Sequence, residues 1–509
     1  MIRRVLKARN KFVPKLRGVT RFSTYLLASF FFFLSKWIER NFGAPNLEQI
    51  LYHIQFGTEG LLDADQALIH SFIKRCVLLP IVFSIFAVMT ERFVGCVRLY
   101  GLKGAISLLI RFVVKHVNRA FIALDWLIAH RAPIILLVAA TAYWTYKVSA
   151  VGYVTAHFGP DYFSANYISP STVKLQAKNP KNLVLIYVES LETTYSNEKL
   201  FGTDLLASLN ALRGVSFESY GQAPGTSWTI AGITATQCGV PLKSVTLYDG
   251  NLQGENMKSF LPNATCLGDV LAKLGYHNVF MGGAALDFAG KGKFLNDHQY
   301  HEVYGREEWI RQGVDPKDMN GWGLYDDDLF EKAKIKLHEL QDSKQPFNLT
   351  LLTVDTHHPA GHTSKYCARR GAQNFEDIVK CTSDQLAEFV KFIKSNGTLS
   401  NTNVVIIGDH LAMTNSVSQK LNSLSERRIF NSFISAKPPA KNREKILHFD
   451  LFPSILEFLG IDVAGNRLGL GFSAFYKSDE LPSPGRLDEM NSSLMNSSDT
   501  YYDLWRAPQ

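Results

Sequence analysis

The chain has 509 residues, a formal net charge of +8 and a pI near 9.0, with 46% apolar and 12% aromatic residues. That length excludes a single small module and calls for two or three units, and the apolar content excludes disorder as the main state. The basicity is confined to one region: residues 1–150 hold 20 Lys/Arg against 7 Asp/Glu, a balance of +13, while residues 151–509 hold 34 against 39, a balance of −5. The pI therefore points to a membrane region with basic loops and not to nucleic acid.

In chain order, the first elements are three apolar stretches. Residues 22–38 contain four consecutive Phe, and residues 76–90 and 132–146 are apolar throughout. Each uncharged run is about 14–15 residues, below the ~20 expected of a spanning helix. Flanking Lys36, Lys74, Arg75 and Lys147 can snorkel and lengthen each span. The expected transmembrane helices are 22–38, 74–94 and 132–153, within a membrane region 1–150. Loop charges set their orientation. Residues 1–21 carry eight Lys/Arg and no acid, residues 41–71 carry four acids and no Lys/Arg, and residues 95–131 carry six Lys/Arg and one acid. Lys/Arg-rich loops stay cytoplasmic, so everything after about residue 150 lies outside. Residues 104–128, preceded by Lys103, mix apolar runs with four charges (Arg111, Lys115, Arg119 and Asp125) and read as an interfacial amphipathic helix, with a fourth span as the competing reading. The N-terminus does not read as a cleavable signal, since no clear small-residue cleavage site follows the Phe run.

A polar linker (151–180) precedes a domain at 181–465. Short apolar runs at 182–188, 277–281, 347–354, 403–407 and 429–434 read as strands covered on both faces. They alternate with helical patterns at 200–213, 227–236, 267–274, 326–340, 384–394 and 451–459, which implies an α/β fold with a mostly parallel central sheet flanked by helices. Residues 466–509 read as a loose tail rich in Ser, Asn, Asp and Pro. Four of the six cysteines (Cys238, Cys266, Cys367, Cys381) fall in the outer part. They allow three pairings, of which 238–266 and 367–381 are the simplest, against an alternative of buried free thiols.

In such sheets the ligand crevice lies beyond the carboxyl ends of the strands. Two strands end in metal-type residues: Tyr187-Val-Glu189-Ser190 and Ile407-Gly408-Asp409-His410. Glu189, Asp409 and His410 converging on one crevice would suit Mn²⁺, Zn²⁺ or Mg²⁺. Between them lies Pro224-Gly225-Thr226-Ser227-Trp228, where Gly permits a sharp turn and Thr226 or Ser227 caps a helix. Hydroxyls at a helix N-terminus also favour a bound phosphate, and a metal touching one would activate it as a nucleophile.

These residues carry a resemblance. Ile186-Tyr-Val-Glu-Ser-Leu-Glu-Thr-Thr-Tyr195, Gly225-Thr226-Ser227, Trp322-Gly-Leu-Tyr-Asp-Asp327, Asp355-Thr-His357-His358-Pro359 and Asp409-His-Leu-Ala-Met413 together resemble the alkaline-phosphatase/sulfatase superfamily. Within it they are most similar to the membrane-anchored branch of lipoteichoic acid synthases and phosphoglycerol transferases. The resemblance implies an inner-membrane, multi-pass enzyme with a periplasmic catalytic domain. It implies Glu189, Asp409, His410 and Thr226 at one divalent metal, Mn²⁺ before Mg²⁺ or Zn²⁺, and Thr226 as nucleophile. It implies substrate binding by His357 or His358, and by Lys291 in Phe288-Ala-Gly-Lys291. It further implies phosphatidylglycerol as donor, a glycan as acceptor and a glycerophospho-threonine intermediate. Phosphoethanolamine transfer to lipid A or glycan is the first rival, and a non-catalytic envelope glycan-binding protein the second. His448, opening the run His448-Phe-Asp450-Leu-Phe-Pro-Ser454, reads as structural support or as a residue behind the metal site. The arylsulfatase signature Cys/Ser-x-Pro-x-Arg is absent at the nucleophile position, which disfavours sulfate-ester hydrolysis.

Overall fold

The computed structural model describes residues 2–42, 47, 50–51, 66–100, 131–243, 259–476 and 480–506. The chain divides into two compact units, one of residues 1–47 and 66–152 and one of residues 48–65 and 153–509.

The first unit is helical. Its main elements are α1 (Ile2–Phe42), α2 (Leu79–Tyr100) and α3 (Ala132–Lys147). A helical stretch Gln66–Phe72 and a π-turn Ile73–Leu78 lead into α2. The first two expected stretches are helical throughout, whereas the third, 132–153, breaks at Val148–Ser149 and resumes as a short helix Ala150–Thr155. Among the described residues one stretch, Ile69–Glu91, is long and apolar enough by itself to cross a membrane. The expected interfacial helix at 104–128 lies outside the described residues. Polar contacts collect at two levels of α1. Tyr25 Oη donates to Glu91 (2.8 Å), which also meets Arg21 (3.4 Å), while Lys36 and Lys147 pair with Glu39 at 2.9 and 2.7 Å. Apolar side chains between those levels, such as Phe32, Val82, Phe86 and Val138, face outward.

The second unit is built on a six-stranded sheet: β1 (Asn182–Val188), β2 (His277–Gly282), β3 (Glu302–Tyr304), β4 (Phe347–Leu352), β5 (Thr402–Gly408) and β6 (Asn431–Ile434). The order is β3-β2-β4-β1-β5-β6; the first five are parallel and β6 runs antiparallel to β5. Alternate residues of β1 enter different cores. Leu183, Leu185 and Tyr187 pack on one face, Val184, Ile186 and Val188 on the other. That is why β1 is a continuous apolar run without a polar face. The flanking helices include α4 (Thr229–Cys238), α5 (Leu267–Lys273), α6 (Asp326–Asp342), α7 (Phe375–Ser395) and α8 (His448–Phe458). Both simple cysteine pairs exist: 238–266 ties the end of α4 to the start of α5, and 367–381 braces α7.

Several expectations change. The helix expected at 200–213 is two short pieces, Glu198–Phe201 and Ala207–Asn210. Helix α7 starts nine residues earlier than expected, where the Asn374 side chain accepts the Asp377 N–H at 3.0 Å. The strand β3 was not expected, since its three residues are only half-buried at the sheet edge. The loose tail is instead folded. It forms α9 (Arg486–Ser493) and α10 (Asp499–Asp503), and it buries Tyr501 and Trp505 against the main core. Arg486 grips both oxygens of the buried Asp450 at 2.8 and 3.1 Å. A few widely spaced anchors thus outweigh a polar composition, because each aromatic buries a large apolar area.

Candidate functional site

Glu189 follows β1 and Asp409-His410 follow β5, adjacent parallel strands whose last paired residues are Val188 and Gly408. The two turns approach so closely that a Cβ on Gly408 would lie 2.1 Å from the Leu191 carbonyl oxygen. Glycine is required there by space and not by φ. Ser190 adopts φ +55°, a strained left-handed conformation for a non-glycine residue; such strain concentrates at functional turns. Its N–H donates to Asp409 Oδ1 at 2.8 Å and its hydroxyl to Glu189 Oε1 at 2.6 Å.

Ligand atoms of Glu189, Asp409 and His410 lie within 4.8 Å of one another, all buried. His410 Nε2 is 3.4 Å from Asp409 Oδ2 and 3.7 Å from Glu189 Oε1. Its Nδ1–H donates to the Leu411 carbonyl at 2.8 Å, which fixes the tautomer and aims Nε2 at the carboxylates. Among the described residues neither Asp409 Oδ2 nor His410 Nε2 has a hydrogen-bond partner. Burying such atoms unpaired is costly, and a divalent cation coordinated by two carboxylates and an imidazole satisfies both. Burial pushes the Asp409 carboxyl up to about 7, reinforced by the neighbouring Glu189 and opposed by His410. Burial pushes Glu189 in the same direction, but His357 and His410 overcome it and hold Glu189 at about 2. The residues therefore fit a divalent cation. A second trio, Cys238, Cys266 and His298, is equally close, but its sulfurs are consumed in a disulfide.

Thr226 is fully buried, and its hydroxyl donates to the Ala223 carbonyl at 2.7 Å. Neither Thr226 nor Ser227 caps α4; the cap position is Trp228, with no side-chain bond. The helix is tied to the carboxylate cluster otherwise. Thr229 donates to Glu189 Oε2 at 3.2 Å. A Cβ on Gly232 would lie 2.2 Å from the Asp409 carbonyl oxygen, so α4 lies directly against the Asp409 turn. His448 Nε2–H donates to that same carbonyl at 2.9 Å, and burial depresses the imidazole to about 3, so it is neutral.

Lys291 is buried, and burial draws its ammonium down to about 8 against the opposing pull of Glu189 and Asp409. The rings of His357 and His358 stack 4.5 Å apart, where consecutive histidines would be expected to diverge. Both bear on Glu189 electrostatically. His357 Nδ1–H donates to the His358 carbonyl at 2.8 Å, which leaves Nε2 as its proton-accepting atom. Burial pulls His358 down to about 3. Asp326 accepts the N–H groups of Val354 (2.7 Å) and Asp355 (3.1 Å), so it supports the histidine turn from below.

Sequence reasoning missed the supports: Ser190, Thr229, Thr356, whose hydroxyl donates to the Glu189 carbonyl at 2.6 Å, and Trp322, whose ring lies 4.3 Å from that of His357. Ser190, Thr356 and Trp322 lie inside the motifs named above and Thr229 directly follows one, and hydroxyls flanking a carboxylate are the signal that marks Ser190 as a support.

The Sulfatase family model matches residues 181–461. Phosphoglycerol transferase I of Shigella flexneri is 41% identical over 325 residues, covering 62% of this chain and 41% of that protein. Its counterpart in Escherichia coli strain 55989 is 40% identical over the same length. The chain thus spans about two-fifths of the length of these relatives. Among solved structures, the lipoteichoic acid synthase LtaP of Listeria monocytogenes is 18% identical, with TM-score 0.49, covering 66% of this chain and 97% of that one. The integral membrane lipooligosaccharide phosphoethanolamine transferase EptA of Neisseria meningitidis is 13% identical, with TM-score 0.46, covering 87% and 84%. With the family model covering more than half of its residues, this chain belongs to the sulfatase family.

Proposed function

We propose that the protein transfers a phosphoglycerol group from phosphatidylglycerol to a glycan outside the cytoplasmic membrane. The observation that carries this reading is the buried Glu189–Asp409–His410 cluster, with two unsatisfied ligand atoms, packed against the helix that follows Thr226. The 41% identity to a phosphoglycerol transferase I supports this headgroup.

A divalent cation, Mn²⁺ before Mg²⁺ or Zn²⁺, held by Glu189, Asp409, His410 and Thr226, supplies Lewis-acid neutralisation of phosphoryl charge and lowers the pKa of a touching hydroxyl. Thr226 Oγ1 attacks the phosphorus of phosphatidylglycerol; the bond to diacylglycerol breaks, and the threonine proton leaves with the diacylglycerol alkoxide. Thr226 then carries glycerophosphate. A glycan hydroxyl attacks the same phosphorus, gives its proton to His357 Nε2, and that proton returns to the departing Thr226 oxygen. Lys291, charged below about pH 8, holds a non-bridging phosphate oxygen.

Anchoring in the bilayer supports a lipid donor. The Arg21–Glu91 and Glu39–Lys147 contacts lie 18 residues apart on α1, about 27 Å at ~1.5 Å per residue, close to the ~30 Å bilayer core. The outward apolar side chains between them are what lipid requires. We place the three helices across the membrane and the catalytic unit in the periplasm.

The test is incubation of the full-length protein with headgroup-labelled phosphatidylglycerol, Mn²⁺ and candidate glycans. Label should pass to a glycan with wild type, and Thr226→Ala should abolish transfer. Normal turnover by Thr226→Ala would sink the mechanism.

A further inference from the structure

Two turns carry the proposed ligands, and a buried ion pair joins them at a point the chemistry does not touch. Glu192 lies three residues beyond Glu189 and is fully buried. Its Oε1 accepts the N–H of Ala412, two residues beyond His410, at 2.8 Å. Arg427, from the segment leading into β6, donates Nε–H to Glu192 Oε2 at 3.0 Å and grips Oε1 through Nη2. The same Nη2 donates to the Ala412 carbonyl at 2.8 Å. Both polar groups of the Ala412 backbone are therefore held by one Glu–Arg pair. The Thr194 hydroxyl donates to Glu192 Oε2 at 3.2 Å, and Asn422 Oδ1 accepts from Arg427 Nη1 at 3.2 Å, which fixes the pair from the far side.

On the near side of the turn the His410 N–H donates to Asp409 Oδ1 at 2.9 Å and His448 holds the Asp409 carbonyl; on the far side, Leu411 and Ala412 carry the contacts. Leu411 N–H donates to Gln222 Oε1 at 2.8 Å, and its carbonyl is occupied by His410 Nδ1. The orientation of His410 thus depends on where the Leu411 carbonyl points; the N–H of that same peptide, from Ala412, is the one Glu192 accepts, and Arg427 holds the carbonyl of the next peptide. An isolated buried ion pair is poor evidence of stabilisation, because desolvation offsets its attraction. A pair spent on the two consecutive peptides that flank Ala412, beside a metal-type site, is better explained by geometry.

We propose that Glu192 and Arg427 are positioning residues that hold the His410 turn in register with Glu189 and so set the affinity for the divalent cation. This rests on the metal reading of the Glu189–Asp409–His410 cluster. Removing residues that orient ligands commonly costs 10–100-fold in metal affinity. Because the two act as one unit, the double variant should lose little more than either single one.

The experiment uses full-length protein in detergent and Mn²⁺ alone as probe. Manganese affinity is measured by competition with a chelator, and thermal unfolding is followed on metal-free protein. Variants are Glu192→Gln, which keeps an acceptor and the side-chain volume, Arg427→Lys, their combination, and Lys420→Ala, which breaks a half-buried ion pair with Glu376. The expected result is a loss of about 10–100-fold in affinity for each of the first three, nearly equal among them, with unfolding of the metal-free forms cooperative and Lys420→Ala unchanged. Folded Glu192→Gln and Arg427→Lys proteins that bind Mn²⁺ within two-fold of wild type would overturn the positioning role and leave the metal site standing. Wild-type protein that binds no Mn²⁺ would overturn the site itself and the clamp with it.

Discussion

At the scale of single residues, the chemistry depends on close approaches that only particular side chains allow. Gly232 is the sharpest case. An added methyl would lie 2.2 Å from the backbone oxygen of Asp409, which has no flexible end to yield. Gly232→Ala should therefore push α4 away from the Asp409 turn, at a cost of about 1–3 kcal/mol in stability. The expected outcome is weaker Mn²⁺ binding together with a lowered denaturation midpoint; unchanged binding would show that α4 does not set the site. Lys291 gives a pH-dependent expectation. Burial lowers its pKa to about 8, so it is charged below that pH and loses its charge as pH rises through it. The KM for phosphatidylglycerol should rise above about pH 8. Lys291→Arg should abolish that rise, because guanidinium stays charged there. Parallel KM profiles for wild type and variant would remove Lys291 from donor binding.

At the scale of elements, the sheet aims the site and the C-terminal segment braces it. Trp505 is buried and packs on Phe260 with ring centroids 4.9 Å apart. Trp505→Ala should cost about 3–5 kcal/mol, read as a drop in the denaturation midpoint; a shift within error would return the segment to a loose tail. The central elements were legible because β1 and β5 are apolar runs of seven residues, too short for a buried helix and rich in β-branched side chains, that end in carboxylates. The tail was not legible, since its anchors stand among Ser, Asn and Asp and act only through tertiary packing. Strand β3 escaped notice for the opposite reason: three half-buried edge residues leave too short a pattern. In the site, Glu189, Asp409 and His410 stood out by residue type and position. Arg427 could not, because its partner Glu192 is 235 residues away in sequence.

At the scale of the molecule, charge sorts with the two compact units: residues 1–47 and 66–152 carry 20 Lys/Arg against 3 Asp/Glu, a balance of +17, and residues 48–65 and 153–509 carry 34 against 43, a balance of −9. After residue 160, among the described residues, only Ile335, Tyr476 and Leu481 are large apolar side chains that stand exposed, whereas the helical unit carries many. This pattern supports the proposed reading of one unit solvated by lipid and one by water. A single cysteine introduced at the exposed Ile335, in a Cys76→Ala, Cys96→Ala background, should react with a membrane-impermeant thiol reagent in intact spheroplasts; protection until lysis would reverse the topology.

The covalent step on Thr226 is the point on which the whole reading turns. Protein incubated with phosphatidylglycerol and Mn²⁺ without acceptor, quenched in acid and digested, should yield the peptide bearing Thr226 with one added glycerophosphoryl group. That adduct should be absent in Thr226→Ala and lost on addition of acceptor. An unmodified peptide under conditions where phosphatidylglycerol is consumed, or a phosphoethanolamine adduct from mixed lipid, would contradict phosphoglycerol transfer through Thr226.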